Sequence, residues 1–242
     1  MARSFASASS MYGTNAAAPV TAMPLTLCAW VNMPVDLLFR VPISINSNSY
    51  AEAFTIYADA TTLGAYQFAG GTSVASTIAG LTAGTWTHVA AVFASTTSRT
   101  IYKAGVAGTE NTTSKTAPAG LNTVRVGLEA TDGASYWNGL IAEAAVYSVA
   151  LSADDIASLA SGFSPLLIRP DALAAYWPLI GAYSPEIDVR GNFPLTLTNT
   201  PTQADHCRVL MPRKRRVNAF SAAAAAQAYV IGGGVGGSMI GA

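Results

Sequence analysis

Residues Asn138–Gly162 constrain this chain more than any other stretch. The run Gly-Leu-Ile-Ala-Glu-Ala-Ala-Val-Tyr from Gly139 predicts a long apolar strand, and Ser152 opens one short helix. The Ser152 hydroxyl can accept from the third helical N–H, and Asp155 stands at the reciprocal position of a capping box. Asp154 and Asp155 also place negative charge in the first turn, where the helix dipole favours it. Ile156 and Leu159 give the helix a single small apolar face, and Gly162 is a natural stop. A helix so short with so narrow a face needs a sheet to lie on.

The rest of the chain supplies that sheet. Short alternating segments separated by Gly, Ser, Thr, Asn and Pro clusters predict strands at Leu25–Met33, Phe39–Ile45, Ala53–Ala58, Ala65–Ala69 and Ser73–Ile78. Four more follow at Thr85–Ala94, Arg99–Lys103, Asn122–Glu129 and Tyr136–Tyr147. Such spacing argues a sandwich of two antiparallel sheets rather than βαβ units. In Thr85–Phe93, Trp86, His88, Ala90 and Val92 share one face, and Thr87, Val89, Ala91 and Phe93 the other. Both faces are largely apolar, so this strand is expected at the centre of a sheet, with His88 a hydrogen-bonded structural residue rather than a base.

Three segments carry a resemblance. Leu25-Thr-Leu-Cys-Ala-Trp-Val31, Thr85-Trp-Thr-His-Val-Ala-Ala-Val-Phe93 and the strand–helix unit 138–162 resemble, in this order, segments of laminin-G-like, concanavalin A-like jelly rolls. The resemblance implies an all-β jelly-roll sandwich with one short helix. Ala172-Leu-Ala-Ala-Tyr-Trp-Pro-Leu179 and the residues to Thr200 resemble the usual opening strands of that fold. Here they follow the helix, so residues 1–205 read as a jelly roll in permuted order, with 172–200 completing this sandwich or a neighbour's. The wording of 178–209 is similar to laminin-G-like proteins encoded in tailed bacteriophage genomes, which implies a virion location.

Residues 206–242 form a second region. Arg208, Arg213, Lys214, Arg215 and Arg216 supply five positive charges, and an Ala run then leads to a Gly-rich apolar end with Tyr229, Val230, Ile231, Met239 and Ile240. Six glycines make that end a poor membrane span, so none is expected. Ordering such a tail costs about 1–2 kcal/mol per residue in backbone entropy. The expectation is an assembly arm that orders against other virion proteins or copies of the same chain.

Composition narrows the partners. The 13 basic and 13 acidic residues cancel, so no field steers specific nucleic acid to the molecule. Charged residues are 11 % of the chain, a level that suits either a surface covered by neighbours or one rich in Thr, Ser and Asn. The two cysteines, Cys28 in an apolar strand and Cys207 in a polar segment, make no disulfide framework and no zinc spacing. The first ten residues hold no apolar signal-peptide core, so synthesis in a host cytoplasm is expected.

Chemistry is sparse. Glycosidases on this fold place carboxylates at alternate positions of one strand, so that two reach the same cleft about 5 Å apart. Glu52, Glu110, Glu129 and Glu143 stand alone, and Glu186 and Asp188 follow Pro185 in a predicted loop. No enzyme is expected and no cofactor is implied. Binding is more promising: family members hold calcium and sugar in rim loops through Asp and Asn oxygens. Asp132, Tyr136, Trp137 and Asn138 are the candidate ligand-binding residues, the rings stacking on a sugar face. Ala142 stands where the family has an acid and Tyr102-Lys-Ala-Gly105 where it has Tyr-Val-Asn-Gly, departures that argue against calcium. The reading is a non-enzymatic accessory protein of a phage particle, as capsid decoration or a head or tail fibre component. The alternative is a lectin-like adhesion module for a surface glycan; for Trp137 itself, ordinary core or subunit packing is favoured over stacking on a sugar.

Overall fold

The computed structural model describes residues 1–34, 38–47, 51–129, 135–181 and 184–211. Twelve strands precede the helix: β1 (Ala2–Phe5), β2 (Tyr12–Asn15), β3 (Leu25–Asn32), β4 (Arg40–Asn46), β5 (Ala53–Ala58) and β6 (Thr62–Ala69) come first. β7 (Thr72–Ala79), β8 (Thr87–Ser95), β9 (Ser98–Lys103), β10 (Val106–Ala107), β11 (Thr123–Val126) and β12 (Gly139–Tyr147) complete that run. Helix α1 (Ala153–Ala160) follows, then β13 (Leu173–Trp177), β14 (Thr196–Thr198) and β15 (Thr202–Ala204).

These strands build two antiparallel sheets, an all-β jelly-roll sandwich. The first runs β10-β9-β8-β3-β12-β1-β15, with β13 also on β12, and the second runs β14-β2-β11-β4-β5-β6-β7. Alternation places the core. Leu25, Leu27, Ala29 and Val31 of β3 point at Ile43 and Ile45 of β4 and Phe54, Ile56 and Ala58 of β5, all fully buried. The rings of Phe54 and Phe93 meet across the two sheets, 4.7 Å apart. As the alternation of β8 predicts, Val89, Ala91 and Phe93 join this core, while Ala90 and Val92 join a second layer on the opposite face.

That second layer is the seat of the helix. Ile156 and Leu159 pack with Cys28, Ala145, Tyr147 and Tyr176 on the outward face of the first sheet. Full burial of each aliphatic side chain is worth about 1.5–3 kcal/mol. Both bonds of the capping box form: Asp155 N–H donates to Ser152 Oγ and Ser152 N–H to Asp155 Oδ2, each at 3.1 Å.

Residues 173–177 complete the sandwich of their own chain. On one edge of β12, Leu173 to Trp177 face Tyr147 to Ala144, and Arg3 to Phe5 face Ile141 to Gly139. β13 and β1 therefore run the same way and abut end to end along one long strand. Trp177 enters the main core and Tyr176 the layer beneath α1. The sequence reading did not anticipate β1 and β2, whose four residues each carry too little alternation to register. The compact unit extends over Met1–Met211. The boundary expected after residue 205 falls inside it, because Cys207 and Val209 pack on Ala2, Ala142, Trp30 and Trp86. Among the described residues no helix is long and apolar enough to cross a membrane.

Candidate binding face

The outward face of the second sheet carries an aromatic row. Tyr57 alternates with the core residues Ile56 and Ala58 on β5, and Tyr66 and Phe68 alternate with Ala65 and Gln67 on β6. Phe39, just before β4, stacks on Tyr57 with ring centroids 4.7 Å apart and planes at 16°. Tyr57 meets Tyr66 edge-on at 6.0 Å, and Tyr66 lies nearly parallel to Phe68 at 6.1 Å. All four rings are half-buried. Gly64 is the register partner of Tyr57, and a Cβ there would overlap the Tyr57 ring. The glycine thus makes the hollow in which the ring lies. Beyond the row, β7 offers only Ser73, Ala75 and Thr77 opposite Phe68, Tyr66 and Gly64. Small side chains there leave a low shoulder beside the rings. Burial first, then Asp59 and Tyr66, raise the Tyr57 hydroxyl above its ordinary range, so it stays a neutral donor.

Next to the rings the same face is covered. The backbone of 127–129 and 135–136 lies across β4: Gly127 N–H donates to Pro42 O at 2.9 Å and Val41 N–H to Ser135 O at 3.2 Å. Ser44 Oγ donates to Leu128 O at 2.9 Å, Thr55 Oγ1 to Glu129 Oε1 at 2.9 Å, and Arg125 to Glu129 O at 3.1 Å and to Asn46 Oδ1. These buried polar groups hold the crossing chain in place. Burial lowers Arg125 below its usual range, against the neighbouring Tyr12 and Tyr136 hydroxyls. The rings of Tyr12 and Tyr136 stand 6.1 Å apart at the far side of that crossing.

The described residues among those expected to bind ligand differ in exposure. Trp137 is fully buried in the main core, its backbone N–H donating to Gly127 O at 2.9 Å, so its ring cannot stack on a sugar. Tyr136 and Asn138 are half-buried, and Asp132 lies outside the described residues. The assembly-arm residues Arg213, Lys214, Arg215, Arg216, Tyr229, Val230, Ile231, Met239 and Ile240 also lie outside them. Sequence reasoning missed Phe39, Tyr57, Tyr66 and Phe68. The signal available was an aromatic at every second position of Tyr66–Phe68.

The carboxylates are committed elsewhere. Asp188 accepts four backbone N–H groups, from Tyr176, Arg190, Asn192 and Phe193 at 2.9–3.1 Å, and so ties its loop to β13. Glu186 pairs with Arg3 in a buried bridge. Glu52 accepts from Gly70 N–H and Ala119 N–H, both at 3.0 Å. Among the described residues no group of three or more His, Cys, Asp or Glu is placed to hold a metal ion. His88 is buried edge-on to Trp30 at 5.7 Å, and desolvation pushes it down to about 3. Its Nδ1 has no hydrogen-bond partner.

Residues 7–157 match the family model described as the concanavalin A-like lectin/glucanases superfamily, of the laminin G type. The chain belongs to this superfamily. Its sandwich is similar to that of a Bacteroides ovatus protein provisionally assigned to carbohydrate binding, with TM-score 0.59 and 19 % identity over 81 % of this chain. The chain spans 57 % of the length of that protein. Weaker similarities run to the CBM40 of a Ruminococcus gnavus sialidase bound to α2,3-sialyllactose (TM-score 0.49, 13 % identity, 59 % of this chain and 84 % of that one). A tailspike protein of Escherichia coli O157:H7 bacteriophage CAB120 is similar at TM-score 0.49 and 16 % identity, over 67 % of this chain and 25 % of that one. A comparison with curated proteins returns no match. Members of the superfamily this far apart share a fold, and function is argued from the site.

Proposed function

We propose that this superfamily member is a non-enzymatic binding module whose ligand is a glycan resting on the Phe39–Tyr57–Tyr66–Phe68 face. The observation that carries the reading is the row of four half-exposed rings, with Tyr57 seated flat over Gly64. Aromatic faces carry negative quadrupole potential and attract the slightly positive C–H face of a pyranose, while Tyr hydroxyls offer hydrogen bonds at the edge.

The test is a glycan array read with the wild-type chain and with Tyr66→Ala, each with and without a calcium chelator. Binding that survives chelation and is lost in Tyr66→Ala supports the face. Binding abolished by chelation moves the site to a calcium-dependent rim.

We further propose that the module works as an accessory protein of a phage particle, as capsid decoration or a head or tail fibre component. Its support is the charge-poor chain with its basic, then Ala/Gly-rich, residues 206–242. Deleting 217–242 should leave the sandwich folded and abolish incorporation into the particle. Full occupancy by the truncated chain would remove the arm from the account.

A further inference from the structure

Glu143 sits where β13 ends and β1 begins. Glu143 and Ala144 together face the single residue Ala29 of β3, a β-bulge, since Ala142 pairs with Trp30 and Ala145 with Cys28. Its φ is +53°, a left-handed conformation that is costly for a residue with a side chain, and such strain persists only where the surroundings hold it. The bulge frees Glu143 N–H to donate to Pro178 O at 3.2 Å, just past the end of β13. It also turns the carboxylate toward the junction, where it is almost wholly buried.

Two groups meet it there. The Tyr176 hydroxyl of β13 donates to Oε2. His206 Nε2 stands 3.0 Å from Oε1, at an angle too bent for a good hydrogen bond, so this contact is chiefly one of opposite charges. Nδ1 of the same ring donates to the Cys207 carbonyl, so both ring nitrogens face acceptors, the arrangement that an imidazolium satisfies and a neutral ring does not. Burial acts to lower His206, but the contact with Glu143 and the Cys207 carbonyl outweigh it, and the net direction is upward. The other groups facing it are the Met1 amino group at the start of β1 and Arg208 of its own segment. Asp205 precedes it, beside a neighbouring hollow, and Cys28 of β3 lies behind Glu143.

We propose that the Glu143–His206 contact is a proton-controlled latch that fastens residues 206–208 over the β13–β1 junction. Closed, it covers Cys207, which packs on Ala2 and Ala142; open, it exposes that thiol. The segment stays tethered at its far end, where Leu210 N–H donates to Gly162 O at 2.6 Å and Ser164 N–H to Leu210 O at 3.0 Å. Opening is therefore a local lift at 206–208. The sign follows from a folded-state pKa raised above 6.5. The latch is fully closed below the unfolded value and loses its hold as pH rises through the folded value.

The test is alkylation of Cys207 in the full chain from about pH 5.5 to 8.5, the range in which a histidine titrates. Each rate is divided by that of the same thiol in the denatured chain, which removes the thiolate fraction of the exposed thiol and leaves the opening equilibrium. Burial and then Glu143 push the folded thiol up to about 12, so alkylation reports opening. Fully buried Cys28, mapped in the same digest, reports global unfolding. The wild-type protection of Cys207 is expected to fall with rising pH, by roughly tenfold for each pKa unit the contact confers, while Cys28 stays protected. His206→Gln is expected to give low, pH-independent protection. A flat wild-type profile, the same profile in His206→Gln, or Cys28 opening in step with Cys207 would each overturn the latch.

Discussion

The Tyr57 ring lies over the backbone of Gly64, its partner on the next strand, in space that the Cβ of any other residue would claim. A strand glycine ordinarily weakens a sheet, and here it is what lets an outward ring lie flat and stack on Phe39. Gly64→Ala is therefore expected to destabilise the fold, despite alanine's better backbone entropy, by about 1–3 kcal/mol, as for other overpacked sites. The same change should lift Tyr57 out of the row and weaken ligand binding. Urea denaturation reads the first effect, and an unchanged or higher midpoint would contradict the packing.

His88 makes acid stability a second prediction. Its ring is buried and lowered to about 3, so between pH 6.5 and about 3 the unfolded chain takes up a proton that the folded chain refuses. Stability from this group is intact above pH 6.5 and falls by about 1.4 kcal/mol for each pH unit below it. His206 acts in the opposite sense, gaining its contact as pH falls. His88→Phe should flatten the acid limb of the stability profile, measured by thermal melts from pH 7 downwards. An unaltered acid limb would show that His88 is not its source.

The strand–helix unit, the capping box and most strands of both sheets were legible in the sequence, because each rests on local alternation or on a cap within four residues. The abutment of β13 and β1 was only half legible. Tyr176 and Trp177 announced a buried strand, but four-residue β1 gave no periodic signal, and the shared edge of β12 is a non-local fact. The four-ring face was missed for a similar reason. Tyr136-Trp137 looked like an exposed pair, whereas Trp137 is fully buried in the core. The Tyr57–Tyr66 contact joins two strands whose register no single-strand pattern reveals.

Truncation tests the edge. Ending the chain at Ser164 removes β13, β14 and β15, baring the Ala144–Tyr147 edge and the faces against which Tyr176 and Trp177 are buried. An unpaired apolar edge is a template for association, so residues 1–164 should aggregate. A soluble, monomeric and fully folded fragment on size exclusion with light scattering would mean that 165–211 is an appendage.

The most direct measurement is amide shift mapping of the full chain titrated with the glycan that the array selects. Perturbations should cluster at Phe39, Tyr57, Gly64, Tyr66 and Phe68, and Tyr66→Ala should weaken affinity by roughly tenfold or more, the loss expected for an aromatic anchor. Perturbations centred on residues 135–138 or on the first sheet, with Tyr66→Ala binding as tightly as wild type, would contradict the account.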